Sequence, residues 1–298
     1  MTSVAIVLVS ISAITTVFRD FFTKSSSDKY VFLWWYQVIG QIIWVIPLII
    51  YCFIFKKFDL LISPKLIFPA ISGILYAIYF IFLSKAYEKG DFSFVYPLLG
   101  INPITVSIFS YWFLNEKLSF LGIIGIIIVV FGAYIINMKK LSLSEFLKSF
   151  KALKNNEIFL LMLGILFLTT SFAVADKIGV NQISDPFIFW FLSNTFLVLF
   201  YTPMLIFFEK KEKSHFKKEL RYNKKAIFFN ATIGLSSYLL VIITLLISPL
   251  SYVLAFRNIG SIFAVLLGIF VFKEPLGKIR LVAVSVIFLG IVLISMAS

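Results

Sequence analysis

The sequence predicts an all-α integral membrane protein with ten transmembrane helices, arranged as two inverted five-helix repeats. Three observations support this fold class: an apolar composition, ten long apolar segments, and a similarity between the two halves of the chain. Of the 298 residues, 61% are hydrophobic and 14% are charged, and the mean hydropathy is +1.02. A soluble domain would leave too much of this apolar surface in contact with water. We therefore expect the chain to lie in a lipid bilayer.

Ten apolar segments are long enough to cross the membrane, because a helix needs about 20 apolar residues to span the hydrocarbon core. No basic residue precedes the first segment, which we interpret as a span and not as a removable signal peptide. The predicted spans, numbered one to ten, cover residues 3–22, 30–54, 66–87, 92–114, 118–138, 158–177, 187–208, 226–247, 250–272 and 276–296.

The two halves of the chain are similar in sequence. A shift of 158 residues aligns 92–138 with 250–296 without a gap, so that Glu116 matches Glu274 and Gly132 matches Gly290. A shift of 154 residues matches the threonine pairs of spans one and six. Because each half has five spans, the second half should enter the membrane in the opposite orientation, an arrangement typical of transporters.

The domain organisation follows from this repeat. We predict a first five-helix repeat over residues 1–138, a cytoplasmic connection over 139–157 and a second five-helix repeat over 158–298. The connection alternates apolar residues with lysines, which predicts a short amphipathic helix on the membrane surface. A second hydrophilic connection covers residues 209–225.

The distribution of lysine and arginine predicts the orientation. The odd-numbered connections between spans carry 20 of these residues and the even-numbered connections carry five. Basic residues favour the cytoplasmic side, so the odd connections should be cytoplasmic and both termini outside the cell membrane. This pattern also accounts for the net charge of +13 without nucleic acid as a partner.

Several motifs resemble one known family. The stretch SKAYEKGDFSFVYP at residues 84–97, followed by Pro103 and the turn at 115–117, resembles the EamA-type repeat of the drug/metabolite transporter superfamily. Residues 176–180 and 256–264 are similar to one branch of that superfamily. Members of this branch commonly have a Trp-Asn pair in span one, where this chain has Arg19 and Asp20.

The resemblance implies a fold and a general activity. It implies ten helices around a central cavity formed by spans one, three, four, six, eight and nine, with spans five and ten bracing each half. It also implies transport of a small molecule, since members move amino acids, other metabolites, nucleobase-like compounds or drugs, usually outward in bacteria. It does not imply a particular substrate for this chain.

Arg257 is the strongest candidate for a substrate-binding residue. It lies about 7 residues into predicted span nine, roughly 11 Å from the membrane surface at about 1.5 Å per residue. A charge at that depth is costly unless it is paired or faces water. A guanidinium group offers a planar fork of donors for a carboxylate or phosphate. The alternative is a structural role, in an ion pair with Asp20 or Asp176 or in hydrogen bonds to helix carbonyl groups.

Six further residues are candidates for substrate binding. Three are charged residues near the ends of their spans, where they could instead reach the membrane surface or water. Three are polar residues of spans four and nine, for which ordinary helix packing is the alternative. The charged residues are Arg19, Asp20 and Asp176, and the polar residues are Tyr96, Asn102 and Asn258.

Three other polar residues are better explained by structural roles. Glu116 and Glu274 occupy equivalent turns, and each is predicted to cap the helix that follows it in the chain, with gating or proton coupling as the alternative. His215 lies in a basic loop, where we expect a solvated side chain.

No pattern in the sequence predicts catalysis. The chain has no cluster of histidine, cysteine and carboxylate residues with metal-ligand spacing and no glycine-rich phosphate-binding loop. We therefore expect neither an enzyme nor a protein with a metal or another cofactor. Energy for uphill transport would come from a gradient or an exchanged solute.

The leading hypothesis is a secondary transporter that exports a small polar or anionic metabolite by alternating access around a midplane cavity. One alternative is a flippase for a lipid-linked sugar, and another is a membrane enzyme or scaffold that transports nothing. The expected partners are a small-molecule substrate and the lipid bilayer, and a homodimer remains open.

Overall fold

A computed structural model describes residues 2–89, 102–135, 138, 142, 144, 156–260, 262–263 and 278–297. These residues form helices joined by short connections, and no β-strand occurs among them. The helices are α1 Ser3–Ser25, α2 Lys29–Phe55, α3 Ile67–Lys89, α4 Asn102–Leu114, α5 Phe120–Ile135, α6 Asn156–Ile183, α7 Pro186–Pro203, α8 Lys213–Phe229, α9 Leu235–Ile247, α10 Leu250–Phe256 and α11 Lys278–Met296.

Five helical segments of the described chain are long and apolar enough to cross a membrane. Three shorter apolar helices, within α1, α5 and α11, correspond to predicted spans one, five and ten. The described residues do not include the first parts of predicted spans four and ten or most of the second half of span nine. The five long segments are Lys29–Phe55, Pro64–Ala86, Leu160–Ile183, Pro186–Phe207 and Lys213–Ile247.

Local sequence explains where two of these helices begin. Asp28 precedes α2, and its carboxylate accepts a hydrogen bond from the Val31 N–H group (3.2 Å). Asp185 caps α7 in the same way, by accepting from the Ile188 N–H group (3.0 Å). Pro186 is the first residue of α7, a position where the missing N–H group of proline costs little.

The connection over 209–225 differs from the prediction, because most of it is helical. Helix α8 begins with a reciprocal cap between Glu212 and His215, in which the Glu212 N–H group donates to His215 Nδ1 (3.2 Å). The His215 side chain is exposed, as expected, but it belongs to a helix and not to a loop. A π-helical turn, Asn230–Gly234, continues α8 into α9. The amphipathic helix predicted near 139–157 lies almost wholly outside the described residues.

The even-numbered connections meet at one end of the molecule. The Tyr51 hydroxyl donates to Asp185 (2.9 Å), and Lys65 Nζ donates to the Gln182 carbonyl (2.6 Å). These contacts join the second connection to the sixth.

The fourth and eighth connections lie at the same end. Lys177, near the end of α6, donates to the Ser248 carbonyl (3.0 Å), and Glu116 accepts from the Leu250 N–H group (2.8 Å). The C-terminal end of α11 lies here as well, because the Ser119 hydroxyl donates to the Ala297 carbonyl (3.4 Å). We call this end the even end.

The first, third and seventh connections meet at the opposite end, which we call the odd end. Lys211 forms a salt bridge with Asp28 (3.0 Å), and Lys85 forms one with Glu209 (2.8 Å). Since α1 finishes at the odd end, its first residues lie at the even end. Both ends of the described chain therefore lie on the same side of the molecule.

Helices α5 and α11 pack closely and antiparallel at small residues. A Cβ atom added at Gly132 would lie 2.8 Å from the Ile287 nitrogen and 3.1 Å from the Ala283 oxygen. A Cβ atom added at Gly290 would lie 2.8 Å from both the Gly125 oxygen and the Val129 nitrogen. Small residues are typical of close helix crossings in membranes. The resemblance implied that each of these helices braces its own half, whereas here they also pack against each other.

Candidate functional site

The structure describes the side chains of four of the seven predicted substrate-binding residues. Arg19 and Asp20 lie in α1, but their side chains are outside the described part of the structure. Tyr96 also lies outside the described residues. The four whose surroundings can be examined are Arg257, Asp176, Asn102 and Asn258.

Arg257 directly follows α10 and is partly buried among the helices. Its Nη2 atom donates to the Thr16 hydroxyl of α1 (3.4 Å). Its positive charge also interacts with the Tyr238 hydroxyl of α9. The guanidinium group thus lies where α1, α9 and α10 meet, and its role in substrate binding stays a prediction.

Asp176 is more deeply buried than the sequence suggested. It lies two turns before the end of α6, and only 1% of its surface is exposed. The alternative of a solvated helix end is therefore wrong. Asp176 Oδ1 accepts a hydrogen bond from the Ser72 hydroxyl of α3, and Oδ2 accepts one from the Tyr238 hydroxyl. Within the described parts of the chain, Asp176 forms no salt bridge.

Tyr238 donates to Asp176 through its hydroxyl group and so joins α9 to α6. Its ring stacks on Tyr76 of α3, with ring centroids 5.7 Å apart. Tyr76 also packs against Phe172 of α6 (4.6 Å). Aromatic rings therefore adjoin the buried carboxylate.

A second group of hydroxyls lies beside Tyr238. The Ser237 hydroxyl is 3.0 Å from the Thr16 hydroxyl and donates to the Ser12 carbonyl (3.0 Å). These bonds join α9 to α1 next to Arg257. We define the polar cluster as the hydrogen-bonding residues of this region: Thr16, Ser72, Asp176, Ser237, Tyr238 and Arg257.

Asn102 and Asn258 take part in helix contacts. Asn102 Oδ1 accepts from the Thr169 hydroxyl (3.0 Å) and, over a longer distance, from Thr170 (3.4 Å). These bonds join α4 to α6. Asn258 Nδ2 donates to the Ala255 carbonyl (3.4 Å) in the turn after α10. No hydrogen bond in the described region links either asparagine to the polar cluster, so their roles in substrate binding stay predictions.

Glu116 caps a different helix from the one predicted. Its carboxylate accepts from the N–H groups of Leu250 (2.8 Å) and Ser251 (3.4 Å), at the start of α10. The expectation that it caps the helix following it in the chain, α5, is wrong. The partner comes from the other half of the chain, which no local pattern could indicate. Glu274 lies outside the described residues.

The sequence analysis did not single out Ser72, Tyr76 or Tyr238. A helical spacing was available as a signal in α3, because Ser72, Tyr76 and Tyr79 are separated by four and three residues and so share one face. Tyr238 lies in an apolar segment, and the sequence around it gave no comparable signal from helical spacing. Among the described residues, no three His, Cys, Asp or Glu side chains are grouped so that they could hold a metal ion.

Comparison with known proteins agrees with the motifs. The chain matches the EamA-like transporter family twice, over residues 2–138 and 155–296. An uncharacterized protein from Methanocaldococcus jannaschii is 28% identical over 134 residues, which cover 45% of this chain and 96% of that protein. One solved crystal structure superposes on this chain with a TM-score of 0.74 at 12% identity. The superposition covers 99% of this chain and 98% of the other. The chain therefore belongs to the EamA-like transporter family of the drug/metabolite transporter superfamily and is a multi-pass membrane protein.

Proposed function

We propose that this protein is a secondary transporter that exports a small polar or anionic metabolite across the cell membrane. The observation that carries this proposal is the position of Arg257, a partly buried cation where three helices of a transporter-family protein meet. Charged side chains are rare at such depth in membrane proteins, and they mark candidate functional sites. Arg257 would bind a carboxylate or phosphate group of the cargo.

The surroundings of Arg257 suit a small organic anion. Thr16 and Ser237 offer hydroxyl groups beside the guanidinium, and the ring of Tyr76 stacks on the ring of Tyr238. Sites for small molecules commonly combine apolar walls with a few polar groups that fix orientation. We assign the charged part of the cargo to Arg257 and an apolar part to the neighbouring rings.

An inverted repeat would provide a mechanism of transport at this site, and the contact between α5 and α11 supports such a repeat. Gly132 approaches Ala283 and Ile287, and Gly290 approaches Gly125 and Val129. The 158-residue shift converts the first set of contacts into the second. Such an exchange is expected when a two-fold axis passes between antiparallel helices. The two halves would then rock about this axis and expose the site to each side in turn.

Two comparisons are consistent with a five-helix half that forms a structural unit. The family matches the chain in two separate segments of similar length. The Methanocaldococcus jannaschii relative aligns over nearly its whole length with less than half of this chain, so that relative is about half as long.

The proposed orientation places the odd end in the cytoplasm. The seventh connection, at the odd end, carries the largest group of basic residues, including the exposed Lys217, Lys218 and Arg221 of α8. Basic residues are retained on the cytoplasmic side. Both termini would then be outside the cell.

A metabolite comparison tests the function. Cells that produce the protein and cells that lack it are grown alike, and the small molecules inside and outside are measured without preselection. Export predicts at least one polar or anionic metabolite that is depleted inside and enriched in the medium. The same compound should cross proteoliposome membranes unchanged. Conversion of the compound would indicate an enzyme, and unchanged distributions of all metabolites would contradict the proposal.

A further inference from the structure

Helix α8 presents a row of cations at the odd end of the molecule. Its opposite side packs against the protein through Phe216, Leu220 and Ile227. The cations recur at helical spacing and so share one side of the helix. We call them the basic surface of α8. They are the exposed residues Lys213, Lys217, Lys218, Arg221, Lys224 and Lys225.

The one carboxylate within α8 is turned away from this surface. Glu219 is 1% exposed. Its Oε2 atom accepts from the Ser27 hydroxyl (2.5 Å) and from the Asp28 N–H group (3.1 Å), both in the connection before α2. Its Oε1 atom accepts from the Asn223 amide (2.6 Å). Glu219 therefore joins α8 to the first connection and does not face the basic surface.

Neighbouring carboxylates are bound to other groups. Asp28 forms its salt bridge with Lys211, and Glu209 forms one with Lys85. Glu212 takes part in the cap of α8. No salt bridge among the described residues includes a cation of the basic surface. The described part of the chain thus supplies this surface with no counter-ion.

The length of the helix places the basic surface at the edge of the membrane. Helix α8, the π-helical turn and α9 form one segment of 35 residues. At about 1.5 Å per residue this segment is roughly 50 Å long, whereas the hydrocarbon core is about 30 Å thick. Since α9 ends at the even end, next to the eighth connection, the excess length belongs to α8 at the odd end. Helix α8 therefore lies at the level of the lipid headgroups.

Aromatic contacts indicate the same level. Trp35 Nε1 donates to the Phe216 carbonyl (2.8 Å), and the rings of Trp34 and Phe216 are 4.8 Å apart. Tryptophan is enriched where lipid meets water. Tyr222 and Phe228 of α8 are 73% and 44% exposed. Exposed aromatic side chains beside cations are typical of helices in the headgroup region.

We propose that the basic surface of α8 binds anionic phospholipid headgroups of the leaflet at the odd end. Clusters of lysine and arginine beside a membrane span attract anionic lipids, and ammonium and guanidinium groups donate to phosphate oxygens. A lipid fits better than a soluble polyanion, because α9 holds α8 at the headgroups and the exposed rings can contact acyl chains. Binding at α8 requires no cargo and is independent of the proposed function.

Native mass spectrometry of the full-length protein tests this proposal. The protein is released from micelles that contain equal amounts of phosphatidylglycerol and phosphatidylcholine with the same acyl chains, and the retained lipids are counted. We expect preferential retention of phosphatidylglycerol. In a combined Lys213→Gln, Lys217→Gln and Lys218→Gln variant the preference should fall about fivefold or more, since each basic residue near an anionic surface contributes a factor of about five.

A control variant removes the same number of charges at the even end. Lys56→Gln, Lys57→Gln and Lys117→Gln together should leave the preference almost unchanged, because these lysines do not form a continuous row on one helix. Equal retention of the two lipids by the unmodified protein would refute the proposal. An equal loss of preference in the control variant would refute the assignment to α8.

Hydrogen–deuterium exchange locates the effect within the chain. Amide exchange in residues 213–222 should be slower in nanodiscs with phosphatidylglycerol than in nanodiscs of phosphatidylcholine alone. High salt should remove this difference, because it screens the charges. Exchange that is the same in both lipids would contradict the proposal. Protection by added polyglutamate but not by phosphatidylglycerol would show that the partner is soluble and would also overturn it.

Discussion

Replacing Gly132 or Gly290 by alanine should loosen the contact between α5 and α11. The new Cβ atom would lie within 2.8 Å of backbone atoms of the partner helix at either position. Ordinary contact needs about 3.5–4.0 Å, so the helices must separate by roughly 1 Å. Overpacking of this kind costs about 1–3 kcal/mol. The higher helix propensity of alanine offsets little of this cost, because membrane helices remain helical after their tertiary contacts are lost.

The two substitutions should have similar effects, because the contacts around Gly132 and Gly290 correspond under the 158-residue shift. A single separation of α5 from α11 makes room for the methyl groups that both alanine substitutions add. The double variant should therefore lose less stability than the sum of the single variants. Ile127→Ala is a control on α5, since this side chain is 54% exposed on the outer surface and should change stability by about 0.5 kcal/mol or less.

Unfolding in mixed detergent micelles, followed by tryptophan fluorescence, measures these free energies. The prediction is a comparable loss for Gly132→Ala and Gly290→Ala and a small effect for Ile127→Ala. A neutral Gly132→Ala would refute the close crossing. A large loss at one glycine and none at the other would refute the two-fold relation on which the proposed mechanism depends.

Two further predictions concern topology and the cap of α10. Reporter fusions that are active only in the cytoplasm should be active near Lys217 and silent at Ser298, because the basic residues favour a cytoplasmic odd end; activity at Ser298 would reverse the orientation. Glu116→Ala should lower the free energy of unfolding by about 1–2 kcal/mol, since it removes the acceptor for the first N–H groups of α10. The neighbouring exposed Lys117→Ala should have little effect, and equal losses from both would argue against the cap.

The fold was largely predictable, because membrane helices are specified by long apolar segments. The apolar segments of spans one, two and three correspond closely to α1, α2 and α3. The helical state of residues 213–225 was missed because these residues are polar. Their helix depends on the Glu212–His215 cap and on packing against α2, which hydropathy does not report.

The site was predictable only in part. Depth within a span singled out Arg257 as a candidate, and the structure places its guanidinium group against Thr16, while its role in binding stays a prediction. Distance from a span end misjudged Asp176, because α6 continues to Ile183 and neighbouring helices cover this carboxylate. Contacts between residues far apart in the chain, such as Glu116 with Leu250, depend on the arrangement of the two halves, and no local spacing encodes them.

The central claim is that Arg257 binds an anionic group of the cargo. Its most direct test is flux of the metabolite identified in cells, measured in proteoliposomes that contain equal amounts of folded protein. Arg257→Lys keeps the charge but loses the planar fork of donors and should transport more slowly, and Arg257→Gln should transport almost nothing. The control Arg221→Gln, on the exposed face of α8, should match the unmodified protein. Unmodified flux through a well-folded Arg257→Gln variant would contradict the account.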